Sequence, residues 1–457
     1  MSIQSINPTN GSVIKSYNED TDTAVIHKIE QTHNAWLKWS EISFQERLTC
    51  LNRLADQLYK ERANLANLMA MEMGKPIKDG AAEIDKCAGV CKYYAEHGVN
   101  FLKDQLIATE ASKSYVSFQP IGVVLAIMPW NFPFWQVFRF LAPALMAGNC
   151  GLLKHASNVP GCALAIEQLV KDAGFPDHVF QTLMIGSKGV SQVIAHPYVK
   201  AVTLTGSTEA GMKVAAQAGS VLKKTVLELG GSDAYIVLAD ADLEEATTIC
   251  ANSRLINNGQ SCISAKRFIL VKEIEKEFTR LFMEKIKQRK LGDPLDTEHD
   301  LGPMARADLR DELHQQVIKN IEMGAKCILG GQIPVFKGNH AFYLPTILTG
   351  IKKGMPAYSE EMFGPVAAIL TAQDTDDAIA LANDTQFGLG AAVFTKDGSV
   401  GEEIARTKLQ AGSCFVNSLV KSDPRLPFGG INQSGYGREL GSFGIHEFVN
   451  IKTVYIK

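Results

Sequence analysis

Nine cysteines are spread over 457 residues without one CxxC pair. An odd number of unevenly spaced thiols fits reduced side chains and excludes a disulfide framework. No apolar run approaches the roughly 18 residues that a spanning helix needs; "FLAPALMAGNCGLL", residues 140–153, is short and interrupted by Pro143 and two glycines. The start, "MSIQSINPTNG", has neither a basic lead nor an apolar stretch, so no ordinary secretory signal is expected. The ten histidines contain no HxxxH or HxxEH pairing, and Cys87, Cys91 and His97 lack a fourth partner nearby, so no metal site is expected. Net charge is also scarce: 46 basic against 49 acidic residues leave -3, with no long-range field for nucleic acid or anionic lipid. The expectation is a cytoplasmic protein with small-molecule partners, no nucleic acid and no membrane.

The length predicts two or three domains, and 46% hydrophobic with 21% charged residues is an ordinary globular composition. No internal repeat or low-complexity tract is found. After an extended start, two helical patterns follow, the second with Leu48, Leu51, Leu54 and Leu58 on one face. From Ile121 onward short apolar runs, "IGVVLAIMP", "NCGLLKH", "FQTLMI", "KAVTLTG", "KKTVLEL" and "DAYIVL", alternate with helix-length segments. Continuous apolarity fits strands buried on both faces, hence an α/β fold with parallel sheets. A second series of such units runs from near Asp233 to about Asn417, with the seam near "LELGGSD". Ligands of such sheets bind at the carboxyl ends of strands and in clefts between domains.

Three turns that follow strands can carry chemistry. In "MPWNFPFW", Pro129 and Pro133 fix the backbone around Asn131, whose amide is either an oxyanion donor or an ordinary turn hydrogen-bonder. In "TLTGSTEAG", a strand runs into Gly206 and Ser207 begins a helix, offering free N–H groups to phosphate; the motif is neither GxGxxG nor a P-loop. In "VLELGGSD", Glu228 between two leucines is either a base with a raised pKa or a strand-end carboxylate facing solvent. Cys262 in "INNGQSCISAKRF" differs from the cysteines of apolar stretches (Cys87, Cys91, Cys250, Cys414), because small polar residues surround it and Lys266 and Arg267 follow closely. That setting suits a reachable nucleophile. Cys162, near a helix start after Pro160, is its one rival for a lowered pKa.

Together "PWNFP", "GSTEAG", "LELGG", "NNGQSC", "EEMFGPV" and "PFGGINQSGYGRELG" stand in the order and approximate spacing of the aldehyde dehydrogenase superfamily, and the resemblance extends over nearly the whole chain. Within it the chain is most similar to short bacterial succinate-semialdehyde dehydrogenases. The resemblance implies a Rossmann-like NAD(P)-binding domain (1–102 and 120–229, with 431–444 returning to it), an α/β catalytic domain (230–430), and a β oligomerisation flap (103–119 and 445–457). It implies Cys262 as nucleophile, Glu228 as base, and Asn131 with the Cys262 N–H as oxyanion hole. Trp130, Lys154, Ser157, Gly206, Ser207, Glu361 and Phe363 correspond to cofactor-binding positions, and the flap implies a homodimer or homotetramer. Because acyl-CoA-forming relatives typically lack the Glu228 carboxylate, a free acid is the expected product.

The chain departs from the family pattern at several points. The usual Lys-Pro-Ser/Ala-Glu is here Lys154-His155-Ala156-Ser157; loss of the acidic residue admits a 2′-phosphate, so NADP is permitted while NAD is expected slightly ahead. The lysine of "PFGGxKxSG" is Asn432. For a substrate with a distal carboxylate, Arg139 matches a family arginine, whereas the second expected arginine is Ile256; Arg425, as either a substitute cation or a solvated loop charge, and Trp135 as an apolar wall complete the expected pocket. Glutarate semialdehyde and uncharged medium-chain or aromatic aldehydes compete as substrates. A catalytically silent structural relative is the remaining alternative; five family residues kept together, Cys262, Glu228, Asn131, Lys154 and Glu361, argue against it.

Overall fold

The computed structural model describes every residue except Met1 and Lys337. Each of the six apolar runs contains a strand. Five of these strands lie parallel in the order Lys224–Glu228, Val199–Thr205, Val123–Met128, Cys150–His155, Phe180–Thr182, and Gly435–Tyr436 pairs antiparallel along the Lys224–Glu228 edge. Helices cover the faces, so the central strand Val123–Met128 is buried at nearly every residue.

A second sheet follows the order Lys326–Leu329, Thr346–Thr349, Val366–Ala372, Arg267–Val271, Ala234–Val237, Gly390–Phe394, Ser413–Val416, parallel except for its first pair. The chain passes from one sheet to the other between Glu228 and Ala234. Each sheet has its own apolar core. A three-stranded antiparallel sheet stands apart, with Val449–Ile456 paired to Lys113–Pro120 along its full length and Gln105–Leu106 at the edge. Among the described residues no helix is long and apolar enough to cross a membrane.

The amino-terminal region corrects the expectation of two helices. Three form, Asp22–Trp39, Phe44–Met73 and Ile77–Leu102. The division lies at Gly74, which ends the second helix at φ 73° with its N–H on the Ala70 carbonyl at 3.0 Å. Pro76 then stands at the start of the third helix, where a missing N–H costs little. A side chain at residue 74 would also press on Pro303 Cγ, 2.7 Å away. Leu51, Leu54 and Leu58 are sealed, each burial contributing roughly 1.5–3 kcal/mol, while Leu48 is half-buried.

The third helix anchors the turn that carries Asn131. Its Glu83 pairs with Lys75, with both side chains sealed from solvent. The Glu83 Oε1 also accepts from the N–H groups of Phe134 and Trp135, each at 2.9 Å, capping helix Trp135–Met146. From the other side, His155 holds the Pro133 carbonyl through Nε2 at 2.9 Å. Burial lowers that imidazole to about 4, so it is neutral and Nε2 carries the proton.

Removing one partner of the buried Lys75–Glu83 pair leaves an uncompensated charge. Glu83→Ala should therefore cost about 3–5 kcal/mol, with Glu83→Gln costing less because its amide oxygen still caps the helix. Chemical denaturation monitored by tryptophan fluorescence checks both; an unchanged Glu83→Ala midpoint would remove the pair as an anchor.

Candidate active site

Cys262 lies before strand Arg267–Val271, in a loop whose side-chain amides are nearly all committed. Asn257 and Asn258 take left-handed backbone angles, φ 52° and 57°, which asparagine tolerates better than most residues. The Asn257 Nδ2 donates to the Asn131 carbonyl at 2.6 Å and the Gln260 carbonyl at 3.1 Å. Asn258 Nδ2 donates to the Pro303 carbonyl at 2.9 Å, while the Gln260 Oε1 accepts from the Ala305 N–H at 2.9 Å. Asn131 Nδ2 donates to the Gln260 carbonyl at 3.1 Å. A carboxamide nitrogen has two hydrogens, so one remains for an oxyanion; the Gln260 carbonyl that takes the other stands two residues before Cys262.

The thiol is half-buried on the wall of a cavity of about 190 Å³ whose other walls include Phe132, Trp135, Gln136, Arg139 and Phe428. Burial pushes the Cys262 thiol up to about 12, although Lys266 and Arg139 pull the other way. Of the two basic residues that follow, Lys266 therefore favours the thiolate but does not outweigh burial. Lys266 turns its ammonium onto the carbonyls of Ser261 and Cys262, at 2.8 and 2.6 Å, and pairs with Glu361 at 3.2 Å. Arg267 holds the carbonyls of Ser232, Leu381 and Ala382, each at 3.0 Å. Both cations tie the scaffold together. The rival Cys162 is sealed, and Glu72 occupies its helix start by accepting from the Gly161 and Cys162 N–H groups at 2.9 Å. Burial, reinforced by the Glu72 charge, raises that thiol well above its ordinary value.

Glu228 closes its strand with both carboxyl oxygens buried and without hydrogen-bond partners among the described residues. Burial and the neighbouring Glu439 push it well above the usual carboxylate range, against Arg139 and Arg438. The glycine pair that follows lies in tight quarters: a Cβ on Gly230 would lie 2.5 Å from Glu361 Oε2 and displace that carboxylate, and one on Gly231 would lie 3.0 Å from the Cys262 carbonyl oxygen. A Cβ on Gly429 would lie 2.6 Å from Glu228 Oε1, so "PFGG" packs on the carboxyl from its other side. The charge of Arg139 acts on both Glu228 and Cys262. Arg139 itself is buried, paired with Glu439, and stacked over the Phe428 ring with Cζ 4.7 Å from its centroid.

The cofactor-type residues occupy neighbouring strand ends. Strands Val199–Thr205, Val123–Met128 and Cys150–His155 are adjacent and parallel, so Gly206 and Ser207, Trp130, and Lys154 and Ser157 reach the same edge of the sheet. Ser207 caps helix Thr208–Ser220, its Oγ accepting from the Ala210 N–H at 3.3 Å, and Gly206 donates its N–H to the Glu228 carbonyl at 3.0 Å. Glu361 Oε1 accepts from the Gly231 N–H at 3.2 Å. Phe363 meets Trp130 edge-on with centroids 5.8 Å apart. The exposed Ser157 enters a groove of about 620 Å³ that also borders Ser187, Arg306 and His340. This donor set fits a dinucleotide: an ammonium and hydroxyls for ribose or phosphate, a helix N-terminus, a carboxylate for a diol, and an apolar edge for a ring.

Of the substrate-type residues, Trp135 and Arg139 line the cavity and Arg425 does not. Arg425 is three-quarters exposed and paired with Asp423 through Nε and Nη2, at 2.9 and 2.7 Å. The Asp-x-Arg spacing lets the two side chains satisfy each other locally. Asn432, in place of the family lysine, adopts φ 55° in a short 3-10 turn, a left-handed position that suits asparagine. Sequence reasoning missed Asp79, Glu83 and Lys86, which line the cavity from helix Ile77–Leu102. Their spacing of four and three residues, a polar stripe on one helical face, was the available signal.

A family model described as the aldehyde dehydrogenase family matches residues 1–454. The chain is 47% identical over 456 residues to a probable succinate-semialdehyde dehydrogenase [NADP(+)] of Synechocystis, with 100% of each chain covered. It is 45% identical to the succinate semialdehyde dehydrogenase [NAD(P)+] of Escherichia coli, covering 99% of this chain and 97% of that one. Among solved structures it is similar to a succinic semialdehyde dehydrogenase from Streptococcus pyogenes in complex with NADP+, at TM-score 0.97 and 38% identity over 99% of both chains.

A thiol raised to about 12 is neutral at pH 7, and its reactive thiolate grows about tenfold per pH unit. Alkylation of Cys262 in the ligand-free protein, followed by peptide mass spectrometry, should therefore accelerate steadily from about pH 7 to 10. A plateau near pH 7 would contradict the burial argument. Arg425→Ala should leave the ratio of kcat/KM for a carboxylate-bearing aldehyde to that for a neutral one within about twofold.

Proposed function

The chain belongs to the aldehyde dehydrogenase family, and from that premise we propose that it oxidises succinate semialdehyde to succinate with NADP preferred over NAD. Oxidation of an aldehyde with NAD(P) follows from family membership. The carboxylate-bearing substrate is supported by the names of the relatives and by one observation above all: the Cys262 thiol and the buried Arg139 guanidinium share one small cavity. The cofactor order reverses the lean towards NAD. The relatives' names carry NADP(+) or NAD(P)+, and Ser157 presents a hydroxyl rather than a carboxylate where a 2′-phosphate would sit.

In this reading the Cys262 thiol gives its proton to solvent and Sγ bonds to the aldehyde carbon, the carbonyl electron pair moving onto oxygen. The resulting oxyanion accepts from the remaining Asn131 Nδ2 hydrogen and the Cys262 N–H, donors held in place before the reaction begins. Bound NAD(P), held by Lys154, Ser157, Ser207, Glu361 and the Trp130–Phe363 edge, supplies the hydride acceptor. With the former aldehyde hydrogen lost as hydride, a Cys262 thioester is left; Glu228 takes a proton from the water that attacks it, and the carbon–sulfur bond breaks to return the acid and the thiol. The apolar surroundings of Glu228 raise its proton affinity towards that task, so turnover rises with pH as the carboxyl ionises.

The same reading assigns NAD(P) binding to residues 1–102, 120–229 and 431–444, catalysis to 230–430, and assembly to 103–119 and 445–457. Exposed Leu106, Ile451 and Tyr455 on the small sheet support a homodimer or homotetramer. The free thiols support cytoplasmic residence as part of the same proposal.

Absorbance at the reduced-nicotinamide band, with succinate semialdehyde and each cofactor, tests the proposal. NADP should give the higher kcat/KM by about tenfold, and Ser157→Glu should reverse the order. Cys262→Ala should lose on the order of a thousandfold or more in kcat, and undiminished turnover would end the thiol mechanism. Glu228→Gln should keep a rapid first turnover and lose the steady state.

A further inference from the structure

The cavity that holds Cys262 contains a cation with no role in the steps above. Lys86 stands on helix Ile77–Leu102, three residues beyond Glu83, and lines the same walls as Cys262 and Arg139. Its ammonium donates to the Ser422 hydroxyl at 2.8 Å and lies 4.1 Å from the centroid of the Trp135 ring. It forms no ion pair with any described residue: Asp79, which also lines the cavity, stands about two helical turns away, and the two carboxylates that act on it most are engaged elsewhere. Glu83 is paired with Lys75 and accepts two N–H groups, and Asp423 is clasped by Arg425.

Ser422 sharpens the picture. Its oxygen accepts from Lys86 and also from Trp135 Nε1 at 3.0 Å. A hydroxyl oxygen has two acceptor lone pairs, so both are used and its own hydrogen is left to donate. Beside the acceptors of Asp79, Glu83 and Gln136 that also line the cavity, an ammonium with two further N–H groups, a hydroxyl obliged to donate and a nearby guanidinium make a cluster of donors. That is the complement of a carboxylate.

We propose, resting on the semialdehyde reading above, that Lys86 holds the distal carboxylate of the substrate together with Ser422 and Arg139, and that Lys86 makes the enzyme prefer an aldehyde bearing that charge. Arg139 alone is a weaker selector, because Glu439 already offsets its charge. Ile256, which also lines the cavity, supplies none. Burial first, and then the like charge of Arg139, lower Lys86 to about 8, against the opposing pull of Cys87, Glu83 and Asp423. A cation so placed lacks a counter-ion and gains one when a carboxylate arrives.

Steady-state kinetics of the unmodified enzyme, Lys86→Met and Lys86→Arg, with succinate semialdehyde and with butanal, tests this. The ratio of kcat/KM for the charged over the neutral aldehyde should fall at least about tenfold in Lys86→Met, through KM rather than kcat, and recover to within about threefold in Lys86→Arg. Succinate, as a competitive inhibitor of butanal oxidation, should weaken by a similar factor in Lys86→Met. Because kcat/KM reports the free enzyme, the ratio should also fall as pH rises through about 8 in the unmodified enzyme and stay flat in Lys86→Arg. A ratio within twofold of the unmodified value in Lys86→Met overturns the role of Lys86. Lys86→Gln, which keeps a donor to Ser422 without the charge, reads the same ratio if the methionine variant does not fold. Should the unmodified enzyme itself fail to prefer succinate semialdehyde over butanal, the semialdehyde reading falls first; should it prefer it while Lys86→Met changes nothing, only the present inference falls.

Discussion

Asn257 joins two loops that belong to different sheets. Its side-chain nitrogen reaches the Asn131 carbonyl, in the turn after strand Val123–Met128, and the Gln260 carbonyl, in the loop before strand Arg267–Val271. Asn131 answers by donating to that same Gln260 carbonyl. The oxyanion donor and the nucleophile are thereby set against each other by short hydrogen bonds in a sealed region, where breaking one strands a polar group at a cost of about 1–3 kcal/mol. Everything chemical in the molecule depends on this joint, since each sheet alone holds only half of the reacting groups.

The electrostatics of the site follow from its dryness. Neither Cys262 nor Glu228 is stabilised in its charged form; burial raises the proton affinity of both. The cations that approach them are committed, Arg139 to Glu439 and Lys266 to Glu361 and two carbonyls. A site organised in this way keeps its thiol neutral near pH 7, which slows the stray reactions of a half-buried sulfur.

How much of this was legible depends on the range of the interaction. The strands from Val123 to Val237 were visible because burial on both faces writes itself as an unbroken apolar run, and the glycine pair at 230 and 231 marked the passage between sheets. Arg267 misled, because closeness in sequence to Cys262 does not say where a long side chain ends, and it reaches back to the Ser232 carbonyl; Lys266 does end on the Cys262 carbonyl, its pull on the thiol outweighed by burial. Arg425 misled for the opposite reason, a partner two residues away at Asp423. The cavity residues of helix Ile77–Leu102 were missed because that helix is about 180 residues from Cys262 in the chain, and its polar stripe has no motif of its own.

Residue identity and order by themselves determined the α/β class, the family and the chemical types available: one thiol in a polar loop, one carboxylate between leucines, one amide between prolines. These are local properties, expressed in periodicity, in turn chemistry and in the motifs that carry them. Only the tertiary structure decided which charges are spent and which remain, because ion pairing and desolvation depend on where each side chain ends in space, even when the partner is only a few residues away in the chain. Glu83 is spent on Lys75, Arg425 on Asp423 and Lys266 on the loop it supports, while Lys86 keeps its charge unpaired beside Ser422.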